Sequence, residues 1–119
     1  MSLFDIRIKR IYDKPSADDG VRILVDRLWP RGMSKVRAEI DQWDKEIAPS
    51  PALRTWWNHD PERYKEFAER YRAELEGNPA VGALLDIART GPITLLYAAH
   101  DPAVNHAVVL RDYLEAAAQ

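Results

Sequence analysis

Two segments of the sequence place ionisable side chains directly after apolar runs. Residues 21–25 are rich in β-branched residues and leucine, and residues 93–99 are a nearly continuous apolar run, both typical of buried strands. Asp26, Arg27 and Arg31 follow the first run, and His100 follows the second. Because α/β proteins bind ligands beyond the carboxyl ends of their strands, the two exits would form one cleft if the strands are parallel neighbours.

The residue types in these segments favour an anionic ligand. Arginine guanidinium groups bind phosphates and carboxylates through paired hydrogen bonds, so we expect Arg27 and Arg31 to hold the anion, with Lys35 at the rim. Histidine titrates near neutral pH, which makes His100 the first candidate for proton transfer. Trp29 or Trp56 would form a wall of the cleft.

Structural explanations compete with each of these assignments. Asp26 and Arg27 are adjacent, so in a strand they point to opposite faces and cannot both line one pocket. Arg31 and the glycine after it are typical of a turn, and the four tryptophans are typical of core packing. The neighbouring tryptophans at 56 and 57 cannot both face the core of one helix, so the exposed one predicts a cleft wall or a subunit contact.

Several site classes are excluded or disfavoured by the sequence. The absence of cysteine excludes disulfides, thiolate metal sites and cysteine nucleophiles. The three histidines do not occur at the spacing of a known zinc motif, so no metal site is predicted. No glycine-rich phosphate loop is present, and no motif identifies a cofactor.

Pairs of a capping residue and proline mark the starts of helices. Such pairs occur at Ser50, Asp60, Asn78 and Asp101, and the last of them predicts a helix from Pro102 to about residue 116. A further cap at Ser34 predicts a helix that runs toward residue 43. Together with an alternating edge strand in residues 3–12, this order of elements predicts one α/β domain spanning residues 1–119.

Composition and charge limit the partners. Residues 1–37 carry nine Lys and Arg against five Asp and Glu, whereas the rest carries eight against fourteen, for a net charge of −2. This basic excess is smaller than nucleic-acid-binding domains usually show. The sequence contains no apolar run long enough to span a membrane and no signal-peptide pattern at its start, so we expect a cytoplasmic protein.

Three long motifs resemble the DUF488 family in its YeaO-like branch, a group of mostly prokaryotic proteins. They are VDRLWPRGMSK, KEIAPSPALRTWWNHDPERYKEFAERYRAEL and ITLLYAAHDPAVNHAVVLRDYL, and the resemblance extends from about Ile6 to Leu114. It implies a small three-layer Rossmann-like domain with three to four mostly parallel strands and about five helices. Where the broader family has Cys-His-Arg at the start of the last helix, this chain has Asn105, His106 and Ala107. The resemblance therefore adds His106 as a cleft residue beside Asp26.

Two hypotheses follow. In the first, the cleft binds a phosphorylated or nucleotide-like small molecule, with His100 or His106 moving a proton in an enzyme. In the second, the protein is a non-catalytic binding or interaction module, and the paired tryptophans form a partner or homodimer surface.

Overall fold

Four parallel strands form the sheet in the computed structural model, which describes residues 4–118. In spatial order they are β1 (Ile6–Arg10), β4 (Ile93–Tyr97), β2 (Val21–Leu24) and β3 (Gln42–Trp43). The predicted α/β class is confirmed, with every pairing parallel. Of the residues expected in the first strand, Leu3 lies outside the described part of the chain.

The position of β4 in the sheet, between β1 and β2, makes β2 and β4 neighbours. Ile93 is opposite Ile6 of β1 on one side and opposite Val21 of β2 on the other. The strands β2 and β4 are therefore parallel neighbours, as the predicted cleft needs. The strands β1 and β2 are parallel to each other but lie on either side of β4, and a short 3-10 turn at Ala17–Asp19 stands in their connection.

Five helices accompany the sheet within residues 4–118. They are α1 (Lys35–Ala38), α2 (Pro51–Trp57), α3 (Tyr64–Glu76), α4 (Ala80–Ala88) and α5 (His106–Ala117). The hydroxyl groups of Ser34 and Ser50 cap α1 and α2 by accepting hydrogen bonds from backbone N–H groups. Asp60 caps a 3-10 turn that leads into α3, and the side chain of Asn78 accepts a bond from Ala80 N as α4 begins.

Two helices differ from the sequence prediction. The helix after Ser34 does not continue toward Trp43, because Glu39 takes a left-handed conformation with φ of 45° and the chain turns into β3. The last helix begins at His106 and not at Pro102. Asp101 instead accepts hydrogen bonds from the backbone N–H groups of Ala103 and Val104 in a turn, and Asn105 is the residue that caps α5.

The two faces of the sheet are covered unequally. Ile23 and Leu95 belong to the main core, which also contains the buried residues of α2, α3, α4 and α5. Leu24 and Leu96, on the opposite face, pack in a smaller cluster with Met33 and residues around α1. Since β2 and β4 are buried on both faces, their carboxyl ends are held firmly where the chain leaves the sheet.

Candidate functional site

A cavity of about 640 Å³ lies at the carboxyl ends of β2 and β4. Three segments form its walls, namely residues 26–31 after β2, residues 48–61 around α2, and residues 98–106 between β4 and α5. Its size is within the range of cavities that hold small molecules, about 300–1,000 Å³. The position is the one that parallel α/β sheets use for ligands.

Asp26 joins the two strand exits that border the cavity. The chain continues in pairing beyond β2, with Val25 N donating to Leu96 O at 3.0 Å. The next residue, Asp26, accepts a hydrogen bond from Ala98 N on Oδ2 at 3.0 Å. Trp43 fixes the backbone at the same point, because its Nε1 donates to Asp26 O at 2.8 Å. The carboxylate is thus placed by three strands at once.

His106 faces Asp26 from the first residue of α5. Its Nε2 lies 3.0 Å from Val25 O and 3.1 Å from Oδ1 of Asp26. The contact with Val25 O is a hydrogen bond, whereas Oδ1 is buried and makes no hydrogen bond within the described residues. The side chains are 14% exposed for His106 and 16% exposed for Asp26, so this pair forms an inner wall of the cavity.

Tyr71 supports this pair from α3. Its ring meets the ring of His106 edge-on with centroids 6.3 Å apart, and its hydroxyl donates to Ile47 O at 2.6 Å. Burial raises the pKa of Tyr71 well above its usual value, so the hydroxyl is a neutral donor. Tyr71 therefore fixes the position of the histidine ring without adding charge.

Three arginines border the cavity without a carboxylate partner. The guanidinium group of Arg27 donates only to the carbonyl oxygens of Pro49 and Ala48, at 3.4 and 3.3 Å. Arg31 and Arg54 also line the cavity, and within residues 4–118 none of the three forms an ion pair. Because no carboxylate pairs with them, these guanidinium groups can still donate hydrogen bonds to an anion.

Asp26 and Arg27 both line the cavity, which corrects the expectation that adjacent residues must point to opposite faces. That rule holds inside a strand, but β2 ends at Leu24 and both residues lie beyond it. The loop can therefore turn both side chains toward the same space.

The other predicted site residues divide into two groups. His100, Trp29 and Arg31 line the cavity, and His100 is exposed at its rim. Lys35 and Trp56 do not line it. Lys35 is an exposed residue of α1, and Trp56 turns to the outer side of α2, where the guanidinium groups of Arg63 and Arg70 lie 5.4 and 4.2 Å from its ring.

Sequence reasoning missed Arg54, Trp57 and His59 as cavity residues. Trp57 is buried, stacks on Phe67 with ring centroids 4.1 Å apart, and donates from Nε1 to Asp60 O at 2.8 Å. The available signal was the adjacent tryptophan pair, but helical spacing alone does not say which of the two faces the sheet. Arg54 lies three residues before Trp57, and this spacing brings it to the same face.

Residues 4–118 lack both a metal-binding cluster and a membrane-spanning helix. Residues 4–118 contain no group of three or more metal-binding side chains that could hold an ion. No helix among them is both long enough and apolar enough to cross a membrane.

Comparison with known proteins identifies the family. The family model of DUF488-N3i, described as the inactive DUF488-N3 subclade, matches residues 5–119. The chain belongs to this family. The resemblance read from the three sequence motifs is thereby confirmed.

Its relatives include proteins from distant bacteria. YeaO of Escherichia coli K12, named as an uncharacterized protein, is 49% identical over 111 residues, which cover 92% of this chain and 96% of YeaO. The Mycobacterium tuberculosis H37Rv protein Rv3073c and the Mycobacterium bovis protein Mb3100c are each 40% identical over 109 residues, covering 92% of both chains. No solved structure matches the chain.

The residues that replace Cys-His-Arg of the broader DUF488 family have distinct positions here. Asn105 is fully buried, caps α5 by accepting from Val108 N, and donates to Asp101 O. Ala107 is also fully buried. Of these three residues His106 alone lines the cavity, where it faces Asp26.

Proposed function

We propose that this protein binds a small anionic molecule, a phosphate ester or nucleotide-like compound, in the cavity between the exits of β2 and β4. The observation that carries the proposal is a cavity of about 640 Å³ bordered by three arginines that no carboxylate neutralises. Of the nine arginines elsewhere in residues 4–118, six form ion pairs with aspartate or glutamate, and Arg10, Arg37 and Arg72 do not. The cavity lining thus carries three arginines against two aspartates, Asp26 and Asp101, and this excess of positive charge favours an anion.

The remaining lining supports a ligand with an apolar body. Leu28, Trp29, Trp57 and Val104 contribute apolar surface between the arginines and the Asp26–His106 pair. Ligand sites combine a mainly apolar lining with a few polar groups that fix orientation. A ligand with an anionic group near the arginines and a flat or aliphatic body against the apolar walls would match both the polar and the apolar lining.

Binding without turnover is the form of the proposal that the family supports. The DUF488-N3i family is described as an inactive subclade, and the cysteine of the broader family is replaced by a buried helix cap, Asn105. Catalysis is the second candidate, because Asp26 and His106 form a carboxylate–histidine pair at the cavity wall. Product formation from a phosphate ester that binds, lost in an Asp26→Asn variant, would favour catalysis.

A ligand screen with matched variants tests the proposal. Inorganic phosphate, phenyl phosphate and nucleoside monophosphates should raise the melting temperature by mass action, and calorimetry should then give their affinities. Arg54→Gln and Arg31→Gln should each weaken binding about tenfold or more, because each removes a charge-assisted hydrogen bond.

Arg72→Gln is the matched control, since Arg72 is an exposed arginine of α3 outside the cavity lining. Its affinity for these anions should equal that of the wild type. Absence of binding by every anion in the panel, or equal losses in all three variants, would contradict the proposal.

A further inference from the structure

The position of one proton on His106 follows from its neighbours. Nε2 lies between Val25 O at 3.0 Å and Oδ1 of Asp26 at 3.1 Å. A backbone carbonyl oxygen and an ionised carboxylate oxygen only accept hydrogen bonds, so a nitrogen facing both of them must carry hydrogen. Nε2 is therefore the protonated nitrogen of the ring.

The second ring nitrogen of His106, Nδ1, is available for contact with a ligand in the cavity. Within residues 4–118, Nδ1 of His106 has no hydrogen-bond partner, and the largely buried ring lines the cavity. In the neutral ring with hydrogen on Nε2, Nδ1 carries a lone pair and accepts. We infer that Val25 O and Asp26 hold His106 as the Nε2–H tautomer so that Nδ1 serves as a hydrogen-bond acceptor for the ligand. This inference rests on the proposed function and narrows the class of ligand.

The direction of the Nε2–H bond shows which neighbour of His106 accepts it. In the protonated ring Nδ1 would be a second donor, so the acceptor role of Nδ1 applies to the neutral form of the ring. Here the hydrogen bond is made to Val25 O, while Oδ1 of Asp26 lies beside it without a hydrogen bond of its own. Asp26 acts as a positioning residue. Its Oδ1 lies 3.1 Å from Nε2 and would repel a lone pair on that nitrogen, so it favours the tautomer with hydrogen on Nε2.

The ligand must then carry two different groups. Its acidic group meets the arginines, and an N–H or O–H donor meets Nδ1 of His106. A ligand that has only acceptors would leave the partly buried Nδ1 unpaired, and unpaired buried polar groups lower affinity. Donor-bearing anions, such as phosphate esters with an amino or imino group on the ring, are thus preferred over the same anions without the donor.

Nitrogen NMR of the free protein tests the tautomer without any ligand. At a pH of about 8.5, some two units above the ordinary histidine pKa of about 6.5, long-range proton–nitrogen correlations distinguish the two ring nitrogens. We expect His106 to show a protonated Nε2 and a lone pair on Nδ1, and Asp26→Ala to give a mixture of tautomers. A proton on Nδ1 in the wild type, or an equal mixture, would overturn the inference.

Affinities for matched probes test the consequence for the ligand. Wild-type protein should bind meta-aminophenyl or para-aminophenyl phosphate about three- to tenfold more tightly than phenyl phosphate. His106→Gln keeps an amide donor for Val25 O but lacks an acceptor at the place of Nδ1, so this preference for the amino compounds should vanish. His106→Asn, whose Oδ1 lies close to the position of Nδ1, should recover part of the preference.

The outcomes separate this inference from the proposed function. Failure of phosphate and phenyl phosphate to bind the wild type would overturn the anion-binding proposal, and the NMR result would still decide the tautomer. Binding of all phosphates with no preference for the amino compounds, or an equal preference in His106→Gln, would overturn the role of Nδ1 alone.

Discussion

Two aspartates flank β2, and their surroundings differ completely. Asp19, before the strand, accepts hydrogen bonds from Lys9 Nζ at 2.8 Å, Arg22 Nη1 at 2.5 Å and Ser16 N at 3.0 Å. Asp26, after the strand, accepts one hydrogen bond on Oδ2, and its Oδ1 makes none within the described residues. The carboxylate before β2 therefore has both oxygens in hydrogen bonds, whereas the carboxylate after β2 has one acceptor oxygen without a hydrogen bond, beside a cavity.

The difference indicates which charges serve the fold and which are available for a ligand. Burial alone would raise the pKa of Asp19, but the hydrogen bonds from Lys9, Ser16 and Arg22 outweigh it and lower that pKa overall. Arg22 is equally occupied, since it also donates to the carbonyl oxygens of Ala38 and Glu39. The cluster around Asp19 thus ties β2 to β1 and to the end of α1, and its charges are paired within the fold.

The largest effect should come from removing Asp19. Asp19→Ala leaves Arg22 buried without its counter-charge, and breaking a buried ion pair on one side costs about 3–5 kcal/mol of the free energy of unfolding. Urea denaturation measures this loss. The exposed neighbour Asp18, changed to Ala, should alter the stability by less than about 0.5 kcal/mol. A loss below 1 kcal/mol for Asp19→Ala would show that the cluster is not structural.

Two glycines extend the comparison to backbone packing. Gly20 and Gly32 have similar positive φ values of 67° and 76°; Gly20 directly precedes β2 along the chain, and Gly32 follows it. A Cβ at Gly20 would be 2.0 Å from Pro92 O, whereas one at Gly32 would meet nothing within 4 Å. Gly20→Ala should therefore cost about 3 kcal/mol or more, and Gly32→Ala about 1 kcal/mol from backbone strain alone. Equal melting temperatures for these variants would contradict this difference in packing.

The contribution of Asp19 should depend on pH in a defined direction. Because its folded pKa is lowered from 3.8, its stabilisation is complete above that value and is lost as the pH falls through the lowered folded pKa. The stability difference between wild type and Asp19→Asn should thus be constant above about pH 5 and shrink below it. Denaturation curves across this range measure the difference, and a gap that widens on acidification would refute the assignment.

Removing Asp26 should affect stability much less than removing Asp19. Asp26→Ala removes one hydrogen bond, from Ala98 N, which costs about 1 kcal/mol. The substitution also removes a buried carboxylate oxygen, Oδ1, that makes no hydrogen bond within residues 4–118. Because such a buried oxygen is itself unfavourable, its removal offsets part of the lost free energy of unfolding. The same denaturation measurement applies, and a loss as large as that of Asp19→Ala would abolish the distinction between the two ends of β2.

Local rules predicted much of this fold. Ser34 and Ser50 cap helices as the sequence indicates, because a cap needs only one side-chain oxygen and the following backbone N–H groups. The apolar runs predicted β2 and β4, and the neighbouring exits follow from the pairing of these two strands. The chemistry of the candidate site was therefore partly visible in Asp26, Arg27, Arg31 and His106.

The features that the sequence did not predict are those for which two local structures are equally compatible with the residues. Asp101 and Asn105 are both good caps, and the chain uses the first for a turn and the second for α5. Glu39 gives no local sign that it will adopt a positive φ and end α1 after four residues. The choice between Trp56 and Trp57 is set by packing of α2 against Phe67, which is a tertiary contact.

The central place of β4 has a consequence for synthesis on the ribosome. Both β1 and β2 pair with residues 93–97, so neither has its principal partner until more than three quarters of the chain has emerged. Contacts between segments so distant along the chain also slow folding, because the intervening loop must close before they form. Until then β2 can pair only with β3, β1 lacks its partner within the described sheet, and the cavity lacks the wall that residues 98–106 form.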